Sequence, residues 1–352
     1  MMKKYCLLVV SLMLIAILSA CTGNPTSTTT PTTTPETSEN SGNTAPSGTE
    51  TTTPASTPSA EEAHIIANKQ IVLGLYQDVF NGHQIDKVNQ YIGQSYIEHN
   101  PYMENGRDNF TSLYTSIFKR YPDFKVNLLG MIGQGDLVAV FGNGGIEHGA
   151  ATNSSSSTAT SSSETTTTAG NSGSNSAANT AMFVELYRIS NNQIVEHWEI
   201  EPNTTNALTP DKLPALSAKA ELAATARATV AANASFVDNF FATFFVQHNT
   251  DIANDAVSDN VEQYGLDIPN GRKALVSHYL TDFRANPDSK ATAVHTIAEG
   301  DLVLVYSHMQ ANATERGQAV IQLFQIKNGQ IAALWTLSQP VPEQPANNNT
   351  MF

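Results

Sequence analysis

Two cysteines in 352 residues leave no room for a disulfide framework. Basic side chains are also scarce: 18 lysines and arginines stand against 32 acidic residues, for a formal net charge of −14. Phosphate binding needs clustered lysine and arginine, and no such cluster occurs, so a nucleic-acid surface is excluded. Long apolar runs are missing too. The best candidate, CLLVVSLMLIAIL at residues 6–18, is shorter than the ~20 residues a membrane-spanning helix needs. Histidines at HxxxH or His-x-His spacing are lacking, which argues against a metal site. What remains is 40% apolar despite long polar tracts, enough for the stretches between them to bury two ordinary cores.

The apolar run has a setting. Lys3 and Lys4 precede it, and Leu18-Ser19-Ala20-Cys21 follows. That tetrapeptide resembles the lipobox of bacterial lipoproteins, in which cleavage before the cysteine leaves it as the acylated first residue. The resemblance implies a signal peptide over 1–20, lipidation of Cys21, and a protein anchored to the cell membrane facing outside the cytoplasm. Cleavage would also remove Cys6 and leave Cys21 without a thiol partner.

Two polar tracts punctuate the rest. Residues 21–60 are rich in Thr, Pro and Ser and cannot bury enough surface to offset ordering entropy, so a disordered tether is expected. Residues 151–180, ATNSSSSTATSSSETTTTAGNSGSNSAANT, read as an over-long surface loop between two strands. A repeat organises the remainder. Asn105-Gly106-Arg107 returns as Asn270-Gly271-Arg272, and Gly135-Asp136-Leu137-Val138 as Gly300-Asp301-Leu302-Val303, both at an offset of 165. QIVEHW at 193–198 returns as QIAALW at 330–335, where the offset falls to 137. The lost 28 residues match the length of the Ser/Thr tract, which is therefore an insertion in the first of two tandem copies.

Each copy begins with an amphipathic helix, through Val72, Tyr76, Val79 and Phe80 in the first and Val237, Phe240, Phe241, Phe244 and Phe245 in the second. Another helix follows each Asn-Gly-Arg, in the first copy through Phe110, Leu113, Tyr114, Ile117 and Phe118. Four β-branched-rich runs come next, at 124–132, 136–147, 181–189 and 193–200, then near 291–298, 301–310, 318–326 and 330–337. Ser190-Asn191-Asn192 and Lys327-Asn328-Gly329 have good hairpin chemistry. Helices followed by a meander predict an α+β fold with helices on one face of a curved sheet.

That order resembles the nuclear transport factor 2-like (NTF2-like) cone fold. Tyr96-Ile97-Glu98-His99-Asn100-Pro101, Asn105-Gly106-Arg107, Gly135-Asp136-Leu137-Val138 and Ile194-Val195-Glu196-His197-Trp198-Glu199 resemble its SnoaL-like branch, which includes polyketide cyclases. The resemblance implies two such domains, over 61–205 and 219–340, with a linker at 206–218 and a disordered tail at 341–352. It also implies a blind apolar pocket and aldol chemistry that needs no metal or cofactor, with an acidic residue as general acid/base.

Three residues are candidates for that chemistry: His99, His197 and Glu199. Alternation on the last strand puts His197 and Glu199 on one face and Glu196 and Trp198 on the other. With His99 facing inward, the three would form a His-His-Glu constellation, and the resemblance carries the acid/base role to Glu199. Tyr76, Asn100 and Trp198 are the expected pocket residues. Bland readings stand beside these. His99 would instead cap the turn before Asn100-Pro101, Trp198 would pack in the core with His197 and Glu199 on a solvent face, and Arg107 would be a structural partner at a helix start.

The second copy has Tyr264, Ala333, Leu334 and Thr336 where the first has His99, Glu196, His197 and Glu199. Framework survives there and the polar set does not, so this copy is degenerate and serves structure or binding. The two domains are expected to pair within the chain, or the chain to form a homodimer. The overall expectation is an anchored protein binding a small apolar molecule or partner in a cone pocket. The alternative is a cyclase- or isomerase-type enzyme using the first copy.

Overall fold

The computed structural model describes residues 57–144, 182–200 and 208–352, all within one compact unit, Ser56–Phe352. The expected signal peptide, Cys21, the tether up to residue 56 and the 151–180 tract lie outside the described residues.

The first copy opens with helix α1 (Ala60–Gly74), extended by a wider turn at Leu75–Phe80. Ser59 starts it through a capping box, its Oγ accepting from the Glu62 N–H at 3.3 Å while Glu62 accepts from the Ser59 N–H at 2.7 Å. Short α2 (Val88–Tyr91) leads into β1 (Ile92–Glu98), then come α3 (Arg107–Arg120), β2 (Val126–Gln134), β3 (Leu137–Gly144), β4 (Met182–Ser190) and β5 (Gln193–Ile200). The second copy repeats this as α4 (Arg227–Phe241), α5 (Ala253–Ala256), β6 (Val257–Tyr264), α6 (Arg272–Ala285), β7 (Lys290–Glu299), β8 (Leu302–Gln310), β9 (Gln318–Lys327) and β10 (Gln330–Pro340). The sheets run β1-β5-β4-β3-β2 and β6-β10-β9-β8-β7, with β1 parallel to β5, β6 parallel to β10, and every other pair antiparallel.

The Asn-Gly-Arg tripeptide has a structural job in both copies. Gly106 and Gly271 sit at φ 91° and 106°, which disfavours any residue with a Cβ. Asn105 and Asn270 accept the N–H of Glu98 and Gln263 at 2.8 and 2.9 Å, ending the first strand of each copy. Arg107 and Arg272 reach back to the carbonyls of Ile92 and Val257. Arg107 is thus the structural partner at a helix start. In the β4–β5 hairpin, Asn191 and Asn192 both take positive φ, as the sheet's twist requires.

Both faces of each sheet are buried. Val138, Val140, Tyr187 and Ile194 face the helices of the first copy, whereas Leu137, Ala139, Phe141, Leu186 and Trp198 face the other way. These meet Leu304, Tyr306, Ile321, Leu323, Trp335 and Leu337 of the second sheet in one shared core. At ~1.5–3 kcal/mol per large apolar side chain, this face-to-face layer is a main tie between the copies. The segment at 206–218 joins it through Leu208, Leu213 and Leu216.

The expectation of a disordered tail at 341–352 is corrected. Asn347 Nδ2 donates to the carbonyls of Asn100 and Met103, both at 2.8 Å, and Asn349 Nδ2 donates to Glu98 O at 2.7 Å. Met351 is buried and its carbonyl accepts from the Tyr306 hydroxyl. The polar composition signals disorder, but the asparagine amides satisfy carbonyls of the 98–105 loop. Among the described residues, no helix is long and apolar enough to cross a membrane.

Candidate active site

Register decides which side chains meet. Neighbouring residues on paired strands point to the same side of a sheet, and β1 aligns Glu98 with His197. Glu98 therefore enters the helix-covered concave face of the first copy, while Ile97 and His99 turn outward. On the antiparallel side, Tyr187 lies opposite His197 and Glu185 opposite Glu199. The concave face thus gathers one imidazole, three carboxylates and their phenol neighbours.

His197 is buried, with Nδ1 at 2.9 and 3.1 Å from the two Glu98 oxygens. Glu98 has no exposed surface and also accepts from the Tyr96 hydroxyl at 2.7 Å and the Asn100 N–H at 2.8 Å. A carboxylate already accepting two donors requires a proton on His197 Nδ1, which leaves Nε2 as the acceptor in the neutral ring. Nε2 is turned toward Glu185 Oε1, 3.8 Å away. The other Glu185 oxygen accepts from the hydroxyls of Tyr76 and, at 2.6 Å, Tyr187. The Tyr187 ring stacks on His197 with centroids 4.8 Å apart, fixing the imidazole plane. Glu199 accepts from Asn100 Nδ2 at 2.5 Å. Burial, then the charges of Glu98 and Glu185, push the Tyr96 and Tyr187 phenols well above their ordinary pKa, so both remain protonated donors.

The expected constellation forms only in part. His197 and Glu199 share this site, and Tyr76 and Asn100 belong to it as hydrogen-bond donors. His99 does not. Its ring lies on the opposite face, stacked on Trp198 at 4.7 Å and 9°, with Nδ1 bonded to Thr350 O at 2.8 Å. Trp198 is likewise corrected: it belongs to the core between the sheets, with His295 edge-on at 4.5 Å. In the second copy Tyr264 stacks on Trp335 at 5.3 Å and 13°. His99 and Tyr264 are therefore equivalent flat rings on equivalent tryptophans, and the difference between them concerns packing.

Glu98, Glu185, Tyr96 and Tyr187 were missed. For Glu185 the signal is present, since a glutamate interrupts the apolar run Met182-Phe183-Val184-Glu185-Leu186-Tyr187 on a strand buried on both faces. Among the described residues, Glu185, His197 and Glu199 each bring one ligand-type atom within 4.8 Å of the others, a donor set that suits a divalent cation. Oxygens of both carboxylates already receive phenol or amide donors, as expected of a proton relay.

The sequence profile of the SnoaL-like polyketide cyclases matches residues 70–206 and 235–342, one segment per copy. The chain belongs to the SnoaL-like family. Its fold is accordingly α+β, two tandem NTF2-like domains. Similar solved structures include a candidate polyketide cyclase from Sinorhizobium meliloti (18% identity, 29% of this chain and 93% of that one, TM-score 0.27). A candidate isomerase of the SnoaL-like family from Agrobacterium tumefaciens is 8% identical over 31% of this chain and 98% of its own, TM-score 0.28. A SnoaL-like protein of unknown function from Burkholderia thailandensis is 13% identical over 31% and 95%, TM-score 0.27. A comparison with curated proteins returns no match.

The second SnoaL-like copy replaces every member of the site. Register equates Glu98 with Gln263, Glu185 with Gln322, Tyr187 with Phe324, His197 with Leu334 and Glu199 with Thr336. All five replacements are uncharged.

Proposed function

We propose that the first SnoaL-like copy is an acid–base catalyst for a small carbonyl compound, closing a ring by aldol addition or isomerising through an enol. The observation that carries this is the buried His197–Glu98 pair, oriented by Tyr187 and confined to one copy. Glu98 holds the Nδ1 proton, so His197 Nε2 takes the proton α to the carbonyl. The imidazolium this forms is stabilised by Glu98 and Glu185 on either side. Glu199, held by the Asn100 amide, is the group that returns a proton to the product oxygen or carbon. Pure binding accounts less well for this copy, because a binding pocket has no need of three buried carboxylates around an imidazole. The proposal includes export and lipid anchoring through Cys21, which rests on the lipobox-like Leu18-Ser19-Ala20-Cys21.

The test is deuterium exchange at the α-carbon of 2-acetylcyclohexanone, followed by NMR with the full-length protein. Exchange should exceed the buffer rate and fall by ~10²-fold or more in His197→Gln. Glu98→Gln should lower it as well, and a chelator should leave it unchanged. Equal exchange with wild type and His197→Gln would refute the assignment. Loss on chelation would move it to a cation held by Glu185, His197 and Glu199.

A further inference from the structure

The second copy retains an open cone. A cavity of about 300 Å³ lies between α6 and the concave face of its sheet, walled by Phe245, Tyr279, Phe283 and Val320 and reached past exposed Asp282 and Lys290. Thr336 lines its inner side, and its hydroxyl is buried with no hydrogen-bond partner among the described residues. Directly across the sheet from Thr336, on the same face, is Gln322. Gln322 has no exposed surface, and neither its amide oxygen nor its amide nitrogen has a partner among the described residues. Buried polar groups are paired in the great majority of cases, because an orphaned donor or acceptor forfeits its hydration with no return. A site whose only task was packing would carry apolar residues here, as Leu334 and Phe324 already do beside it.

We infer that the second copy is a binding site for an uncharged, ring-sized molecule that presents a hydrogen-bond acceptor and a donor on neighbouring atoms. The Gln322 amide offers N–H and C=O side by side, and the Thr336 hydroxyl adds one bond of either sense. Aromatic and aliphatic walls take the apolar body of the ligand, and the volume lies at the small end of small-molecule pockets. Charge is disfavoured by the same comparison that excludes catalysis. Gln263, Gln322, Leu334 and Thr336 stand where the first copy has Glu98, Glu185, His197 and Glu199, so a charged ligand would lose its hydration with no counter-charge on the floor. This inference stands independently of catalysis in the first copy.

Benzamide carries an amide edge on one ring and serves as the probe, with ethylbenzene and benzoate as apolar and charged controls. Titration of the full-length protein, followed by ligand-detected NMR, should show saturable binding of benzamide in preference to benzoate. Gln322→Leu should weaken benzamide by about tenfold or more, leave ethylbenzene unchanged or tighter, and leave the unliganded protein as stable as wild type or more so. Thr336→Val, a change of one atom's chemistry, should weaken benzamide several-fold and provides the measurement should Gln322→Leu fail to fold. His197→Gln should bind benzamide as wild type does. Benzamide binding that is absent, or indifferent to both second-copy variants, would overturn the inference. So would binding lost in His197→Gln and retained in Gln322→Leu, which would place the molecule in the first copy.

Discussion

The copies are joined by a buried ion pair whose removal has a calculable asymmetry. Lys69, on α1, has a fully buried side chain, and its Nζ lies 2.6 and 2.8 Å from the two oxygens of Glu299 at the end of β7. The Glu221 carbonyl accepts a further bond at 2.8 Å. At ~3 Å and an effective dielectric constant of about 20, the attraction is roughly 5 kcal/mol, most of which offsets the desolvation of both charges. The partners left behind differ. In Lys69→Met the Glu299 carboxylate keeps two backbone donors, Gly133 N–H at 2.7 Å and Ala223 N–H at 3.1 Å, and retains some exposure. A loss of about 2 kcal/mol is expected. In Glu299→Gln a fully buried ammonium keeps only neutral carbonyls, and the expected loss is about 3–5 kcal/mol. That loss is capped by deprotonation, since burial already holds the Lys69 amine below its ordinary pKa.

Lys69→Met/Glu299→Gln removes both charges and should cost only about 1–2 kcal/mol, giving a coupling of roughly 3 kcal/mol or more. Urea unfolding reads this directly. Trp198 and Trp335, the two tryptophans of the chain, both sit in the core between the sheets, so their fluorescence reports the tie itself. Wild type should unfold in one transition by fluorescence and circular dichroism. A double variant whose loss equals the sum of the single losses would refute the reasoning, because the two groups would then not be interacting.

The His295 ring, at the same interface, is held down to about 4 from 6.5 by burial first and by the Arg188 charge next. Its folded value is the lower one, so stability should be full above pH 6.5 and lost progressively as pH falls to about 4. Because the ring is only partly buried, the loss is of order 1–2 kcal/mol, and His295→Phe should flatten urea midpoints over that window. In a bacterial host, labelled palmitate should enter the protein and should be abolished by Cys21→Ser but not by Cys6→Ser. Unchanged labelling in Cys21→Ser would refute the anchor.

Fold and duplication were legible because their signals are local or periodic. Asn-Gly-Arg marks the same strand-end, positive-φ glycine and helix start in both copies, and Asn191-Asn192 marks a tight hairpin. The site was half legible. Alternation along β5 correctly pairs His197 with Glu199, since both positions lie on one strand. Which residue of the β1 segment joins them depends on the register of a parallel pair far apart in sequence, and a shift of one residue exchanges Glu98 for His99. The tail was illegible for a related reason: Asn347 and Asn349 bond to a loop some 250 residues earlier.

The pattern of replacement between the copies separates function from packing better than either copy alone. Where only packing is at stake, shape is kept and chemistry is free to change: His99 and Tyr264 differ in every polar property, yet both lie flat on a tryptophan. On the concave faces the opposite holds. Glu185 becomes Gln322 and Glu98 becomes Gln263, changes that keep size and hydrogen-bonding capacity while removing charge. Drift in a packing core would carry these buried positions toward leucine or valine, because an unpaired amide is costly there. Leu334, in place of His197, shows that such a change is tolerated at this very floor. Retained amides beside a cavity, in a copy stripped of its proton carriers, therefore point to a division of labour in which one cone moves protons and the other holds a neutral molecule.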